Sequence, residues 1–157
     1  MNSKSKSKGL LEDIASLDLG MVKWKLQDQE EGNGWTVEQC DIAELQYKRF
    51  LTLNKLYPKS AIVPDKVIDA FWHFHILDTR KYHTDCEIIF GKYFHHFPYF
   101  GMRGDQDKQD LETSFDKTQK LFQKHFEVDM LEVSAACSGG GDSSCRNCVS
   151  SCSGNNN

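Results

Sequence analysis

Apolar side chains recur every three to four residues along most of the chain, and this spacing predicts amphipathic helices. A short helix is predicted over residues 10–20, and a longer helix is predicted to end near Leu56. Thr36 is followed three residues later by Gln39, which is the sequence of a capping box, so the long helix is expected to begin there. Residues 22–27 fit either a strand or an extended loop, and residues 28–34 are expected to form an acidic loop with two glycines.

Three further helices are predicted in the second half of the chain, over residues 64–76, 80–90 and about 107–125. Pro64 suits the first turn of a helix, because its missing N–H is not needed there. Asp78 can cap the helix that follows, and Gly91 is a typical residue at which a helix ends. These start and stop residues agree with the apolar pattern on either side of them.

Residues 93–100, called here the aromatic segment, contain five aromatic side chains and are too apolar for an ordinary exposed loop. We expect this segment to pack back onto the helices. The sequence therefore predicts a mainly α-helical fold, a compact bundle of four to five helices, for residues 10–133. Residues 1–9 are expected to form a disordered polar arm, and residues 134–157 a flexible tail rich in Cys, Ser and Gly.

The charge distribution argues against nucleic acid as a partner. The chain has a formal net charge of −4, and three of its positive charges, Lys4, Lys6 and Lys8, lie in the short arm. The remaining body is acidic, whereas a phosphate-binding surface needs clustered lysines and arginines. No apolar stretch approaches the roughly 18 residues of a membrane-spanning helix, and no secretory signal follows the lysines. A cytoplasmic location without membrane contact is expected.

Candidate chemistry is concentrated where five of the six histidines lie, between His73 and His96. His75 falls on the apolar stripe of its predicted helix, while His73 lies four residues after Asp69 on a neighbouring face. In a regular helix these two histidines point about 160° apart and cannot bind one ion together. Asp69 is placed to orient the imidazole of His73, although an ordinary exposed pair has the same spacing. His83 is predicted to face solvent.

These residues predict a site for a divalent transition metal ion such as zinc, built from the types of side chain that ligate such ions. The candidate ligands are His73, His75, Asp85, Cys86, His95 and His96. Two other interpretations stay open. Buried histidines can donate to backbone carbonyls while the aromatic residues only pack, or Cys86 can be a nucleophile activated by a histidine.

The tail carries the second concentration of possible ligands, Cys137, Cys145, Cys148 and Cys152. A Cys-x-x-Cys pair can bind a soft ion or cycle between dithiol and disulfide. Three interpretations remain open: a mobile thiol arm, a substrate for modifying enzymes that the helical domain presents as a leader, or an inert solubilising end. A partner protein could contact either the tail or the aromatic segment, and in that case the chain is a non-catalytic interaction module.

One block of the sequence resembles a known family. Trp72-His73-Phe74-His75, then Leu77, then Tyr82 with Asp85-Cys86, and finally Gly91 follow the pattern of the glycine-rich-domain-containing-protein-like family of plants and bacteria. The resemblance extends over residues 24–126, and this part of the chain is similar to the compact bacterial members of that family. It implies no particular activity, and the tail is shorter and richer in Ser, Cys and Asn than that family's glycine repeat.

Overall fold

The computed structural model describes residues 8–132. This part of the chain is helical and contains no strand, so the mainly α-helical prediction is confirmed. The predictions for the tail and for most of the arm lie outside the described residues. Six helices have both ends within residues 8–132: α1 Glu12–Ala15, α2 Gly20–Gln27, α3 Val37–Leu56, α4 Lys66–Leu77, α5 Thr79–Phe90 and α6 Asp105–Phe126. A further helical turn begins at Met130.

Local capping sets the start of α3 and both ends of α5. The Thr36 hydroxyl accepts from the backbone N–H of Gln39 at 3.1 Å, and the Gln39 side chain accepts from the N–H of Thr36 at 2.9 Å. This is the predicted capping box of α3. Asp78 caps α5, and Gly91 ends it with a φ of 67°, in the left-handed region that favours glycine.

The first two helices differ from the prediction. The predicted helix over 10–20 is shorter, Glu12–Ala15, and Gly20 begins α2 instead of ending α1. The Asp18 carboxylate accepts from the N–H of Gly20 at 3.0 Å and so satisfies a free donor near the new helix start. Residues 22–27, for which a strand was also open, are helical and bury Val22 and Leu26 four residues apart. Trp24 makes the apolar positions alternate as in a strand, but its side chain is exposed in the helix.

Helix α4 starts slightly later than predicted. Asp65 is the N-cap of α4, and its carboxylate accepts from the N–H of Ile68 at 2.9 Å. Pro64 therefore lies just before the cap and not in the first turn. The helix is regular from Lys66 to Leu77, which fixes the directions of the two histidines that it carries.

Helix α4 lies at the centre of the fold, where it contacts α2, α3 and α5. Phe71 and Trp72 of this helix pack against Phe50 and Tyr47 of α3, and all four are buried. None of the helices in residues 8–132 has the length and apolar character that a membrane crossing requires. Because α4 is packed on several sides, its histidines are held at fixed positions against neighbouring elements.

The capping box gives a first test of this account. Thr36→Ala is expected to lower the free energy of unfolding by about 1 kcal/mol, because the first turn of α3 loses a hydrogen-bond acceptor. Thr113→Ala is the matched control, since Thr113 is exposed in the middle of α6 and alanine is a good helix former. Urea unfolding followed by circular dichroism measures both. Equal loss in the two variants would contradict the role of the cap.

Candidate metal centre

Two side chains of α4 form one half of the site. Asp69 and His73 are four residues apart, so they lie on the same face of the helix. His73 Nε2 is 3.6 Å from Asp69 Oδ2. The two side chains are 30% and 13% exposed for His73 and Asp69 respectively. An ion could therefore reach them from solvent, although both are largely held within the fold.

The other half of the site comes from the aromatic segment. Phe94 and His96 are half-buried, whereas Tyr93, His95 and Phe97 are exposed. Successive side chains of this segment therefore point alternately toward solvent and toward the helices. The Phe94 ring stacks on Trp72 with a centroid separation of 5.1 Å. The Tyr82 hydroxyl donates to the Phe94 carbonyl. These contacts fix the segment against α4 and α5, and they turn His96, not His95, toward α4.

The three side chains meet at one point. His96 Nε2 is 2.9 Å from Asp69 Oδ1 and 3.0 Å from His73 Nε2. Three donor atoms, one from each side chain, all lie within 4.8 Å of one another. Ligands about 2.0–2.1 Å from a tetrahedral zinc ion are about 3.3 Å apart. The separations between these donor atoms are close to that value.

Both hydrogen-bond contacts of this cluster converge on one nitrogen, His96 Nε2. A neutral imidazole nitrogen carries either a proton or a lone pair. His96 Nε2 therefore cannot make one linear hydrogen bond as a donor to Asp69 and another as an acceptor from His73. Three lone pairs can instead point at a single cation. Partial burial lowers the pKa of His73, with Asp69 opposing this shift and His96 adding to it, which favours the neutral ring at pH 7.

His75 belongs to a different network on the other side of α4. Its Nε2 donates to Asp85 Oδ2 at 2.8 Å, and its Nδ1 accepts from the Tyr47 hydroxyl at 2.8 Å. Asp85 also accepts from Lys81 at 3.0 Å. Burial lowers the pKa of His75 although Asp85 opposes the shift. The neutral ring therefore joins α3, α4 and α5, and every polar atom of its side chain has a partner.

The remaining predicted ligands lie apart from the cluster. His95 is exposed, and its ring contacts the Tyr93 ring with a centroid separation of 4.7 Å. Cys86 is a buried free thiol. Burial raises the pKa of Cys86, with smaller opposing effects from Phe94 and Tyr82, and this opposes the thiolate form that a nucleophile needs. His83 is exposed, as expected.

The cluster opens onto a cleft, a cavity of about 380 Å³ between α4, the aromatic segment, the start of α6 and the loop before α4. Asp69 and His96 line it, together with apolar side chains. Trp72 forms part of its wall and also stacks on the His96 ring with a centroid separation of 4.3 Å. Any ion held by the cluster would therefore sit at the edge of an apolar space.

A family model, that of the UCP032817-like family, matches residues 19–127. The chain belongs to the UCP032817-like family. The matched residues run from just before α2 to just after α6 and include Asp69, His73 and His96. No curated protein and no solved structure matches the chain. The resemblance to the glycine-rich-domain-containing-protein-like family stays a prediction.

Within this UCP032817-like domain, the structure brings together two of the six predicted ligands, His73 and His96. His75, Asp85, Cys86 and His95 are placed elsewhere. Asp69, which the sequence suggested as an orienting group for His73, is near enough to be a ligand itself. The signal for its role was its four-residue spacing from His73, but that spacing is also common among exposed pairs with no function.

Proposed function

We propose that this UCP032817-like protein binds one divalent transition metal ion through Asp69, His73 and His96. The observation that carries the proposal is the meeting of three donor atoms, from two distant parts of the chain, within 4.8 Å of one another. Half-buried side chains from α4 and from the aromatic segment hold these atoms in place. Such support orients ligands before the ion arrives.

The ligand set indicates the type of metal and of site. Two imidazoles and a carboxylate suit zinc, and the same set also binds iron(II). A structural zinc site is closed by four protein ligands, whereas a catalytic site has three and keeps a position open for water or substrate. With Asp69, His73 and His96 as its ligands, an ion would have an open position. The proposed ion is thus one that can bind a further small ligand.

The test is metal titration of full-length, untagged protein in which Cys137, Cys145, Cys148 and Cys152 are replaced by serine. This background removes tail thiols that could bind soft ions themselves. Calorimetry with Zn²⁺ and absorption spectroscopy with Co²⁺ should show one ion per chain. His96→Ala should weaken binding by about 100-fold or more, since loss of a ligand costs at least as much as loss of an outer partner.

His95→Ala is the matched control, because His95 is the neighbouring histidine in the chain but is exposed and outside the cluster. Its metal affinity should stay within about twofold of the parent protein, a change of less than 0.5 kcal/mol in binding free energy. Failure of the parent to bind stoichiometric metal would overturn the proposal. Equal affinity of the His96→Ala and His95→Ala variants would overturn it as well, and the histidines would then be packing residues.

A further inference from the structure

The cleft beside the cluster has walls that suit an apolar ligand. Ile62, Val63 and Leu111 line it with aliphatic groups. Aromatic rings complete the walls, and they come from Trp72, Phe94, Phe97 and Phe100. A cavity of about 380 Å³ is near the lower end of the range for small-molecule sites. These dimensions favour a compound with one ring or a short branched chain.

The charges around the cleft are as informative as its walls. Among the described residues that line it, none is a lysine or an arginine, and its ionisable side chains are Asp69, His95 and His96. A divalent ion bound by one carboxylate and two neutral imidazoles keeps a net charge of +1. That ion would be the source of positive charge at the edge of an otherwise apolar space, where charges interact strongly.

We propose that the cleft binds a small carboxylate with an aromatic or branched apolar tail, whose carboxylate occupies the open position of the metal ion. The inference rests on the proposed metal site and adds its substrate class. The apolar walls of the cleft contact the apolar group of the ligand, and the ion binds its carboxylate. A cationic head would be repelled by the net positive charge, and a neutral head would gain less from it.

The metal cluster that would bind the carboxylate of the ligand and the cleft that would bind its apolar group share residues. Asp69 and His96 belong both to the cluster and to the lining of the cleft. Trp72 likewise stacks on His96 and faces the cleft. A ligand whose apolar part contacts Trp72 would therefore bring its polar end within reach of an ion bound at His96.

The experiment uses Co²⁺-loaded, full-length protein in which the four cysteines of the C-terminal tail are replaced by serine. Three probes share one carbon skeleton: hydrocinnamate, the matching alcohol and the matching amine. Hydrocinnamate should change the visible absorption of the bound Co²⁺, because it enters the coordination sphere. It should bind about tenfold or more tightly than either matched probe, a difference of about 1.4 kcal/mol. Metal-free protein should lose the preference for hydrocinnamate, because the Asp69 carboxylate then lines the cleft without a cation beside it.

Two variants separate the cleft from the metal site. Ala61 lines the cleft and is exposed, so Ala61→Trp should fill the cleft without disturbing the core. It should weaken hydrocinnamate binding by about tenfold or more and leave Co²⁺ affinity unchanged. Ile88→Trp is the control, since Ile88 is 61% exposed on α5 and does not line the cleft. This control should bind both metal and hydrocinnamate as the parent does.

The outcomes distinguish the two proposals. A parent protein that binds no Co²⁺ overturns the proposed function and, with it, this inference. A parent that binds Co²⁺ but whose spectrum does not respond to hydrocinnamate overturns the inference alone. Equal binding of the acid and the alcohol, or unchanged acid binding in Ala61→Trp, also overturns the inference while the metal site stands.

Discussion

Asp85→Ala is expected to lower the free energy of unfolding by about 3 kcal/mol. The substitution removes the carboxylate that accepts from His75 and Lys81 in the buried network. The Nε2–H of His75 is then left in the protein interior with no acceptor, and an unpaired buried donor costs more than the hydrogen bond itself contributes. Urea unfolding at neutral pH, followed by circular dichroism, measures the change.

The same variant also tests the separation between the buried network and the proposed metal site. Metal affinity of Asp85→Ala should match that of the parent, because Asp85 contacts His75 and not the cluster around His73. Glu87→Ala is the control on the same helix, since its side chain is exposed, and it should change stability by less than about 0.5 kcal/mol. A loss below about 1 kcal/mol in Asp85→Ala would contradict the account of the network.

Trp72→Ala is expected to have the largest effect on stability and to weaken metal binding as well. Trp72 is 5% exposed, stacks on Phe94 and His96, and donates from its indole N–H to the Tyr82 hydroxyl at 3.0 Å. Its removal should cost about 3–5 kcal/mol, as for other large buried aromatic side chains. Because the aromatic segment then loses its support, the position of His96 should be less well defined and metal affinity should fall.

Trp72→Phe keeps the protein folded if the alanine variant does not fold. It retains a ring against Phe94 and His96 but removes the hydrogen bond to Tyr82, so a loss of about 1–2 kcal/mol is expected. Metal affinity should stay within about threefold of the parent. Thermal unfolding and Co²⁺ titration measure the two quantities. A phenylalanine variant that binds metal as weakly as a folded alanine variant would contradict the support of His96 by stacking.

Local signals in the sequence were sufficient for most helix ends. Thr36 and Gln39 satisfy each other's backbone groups, and Asp78 and Gly91 bound α5. Such signals act within a few residues, so they can be recognised without knowledge of the fold. They were insufficient near Gly20, where a hydrogen bond from the Gly20 N–H to the Asp18 carboxylate and burial of Val22 and Leu26 favour a helix that periodicity could not identify.

The sequence also determined which histidines of α4 can act together. A regular helix places His73 and His75 on different sides, and the structure shows one beside Asp69 and the other between Tyr47 and Asp85. Helical geometry is a property of the backbone and applies in any fold. The spacing of Asp69 and His73 was equally visible in the sequence. Two residues on one helix could not show whether a side chain from another part of the chain lies beside them.

Tertiary structure alone decided which histidine joins Asp69 and His73, and it alone formed the cleft. His95 and His96 are neighbours in the sequence, and nothing local distinguishes them. Stacking of Phe94 on Trp72 sets which of the two faces α4, and the same packing leaves the cleft beside Asp69 and His96. The helices, their caps and the direction of each α4 side chain are thus local properties of the sequence, whereas the meeting of Asp69, His73 and His96 depends on long-range packing of the aromatic segment.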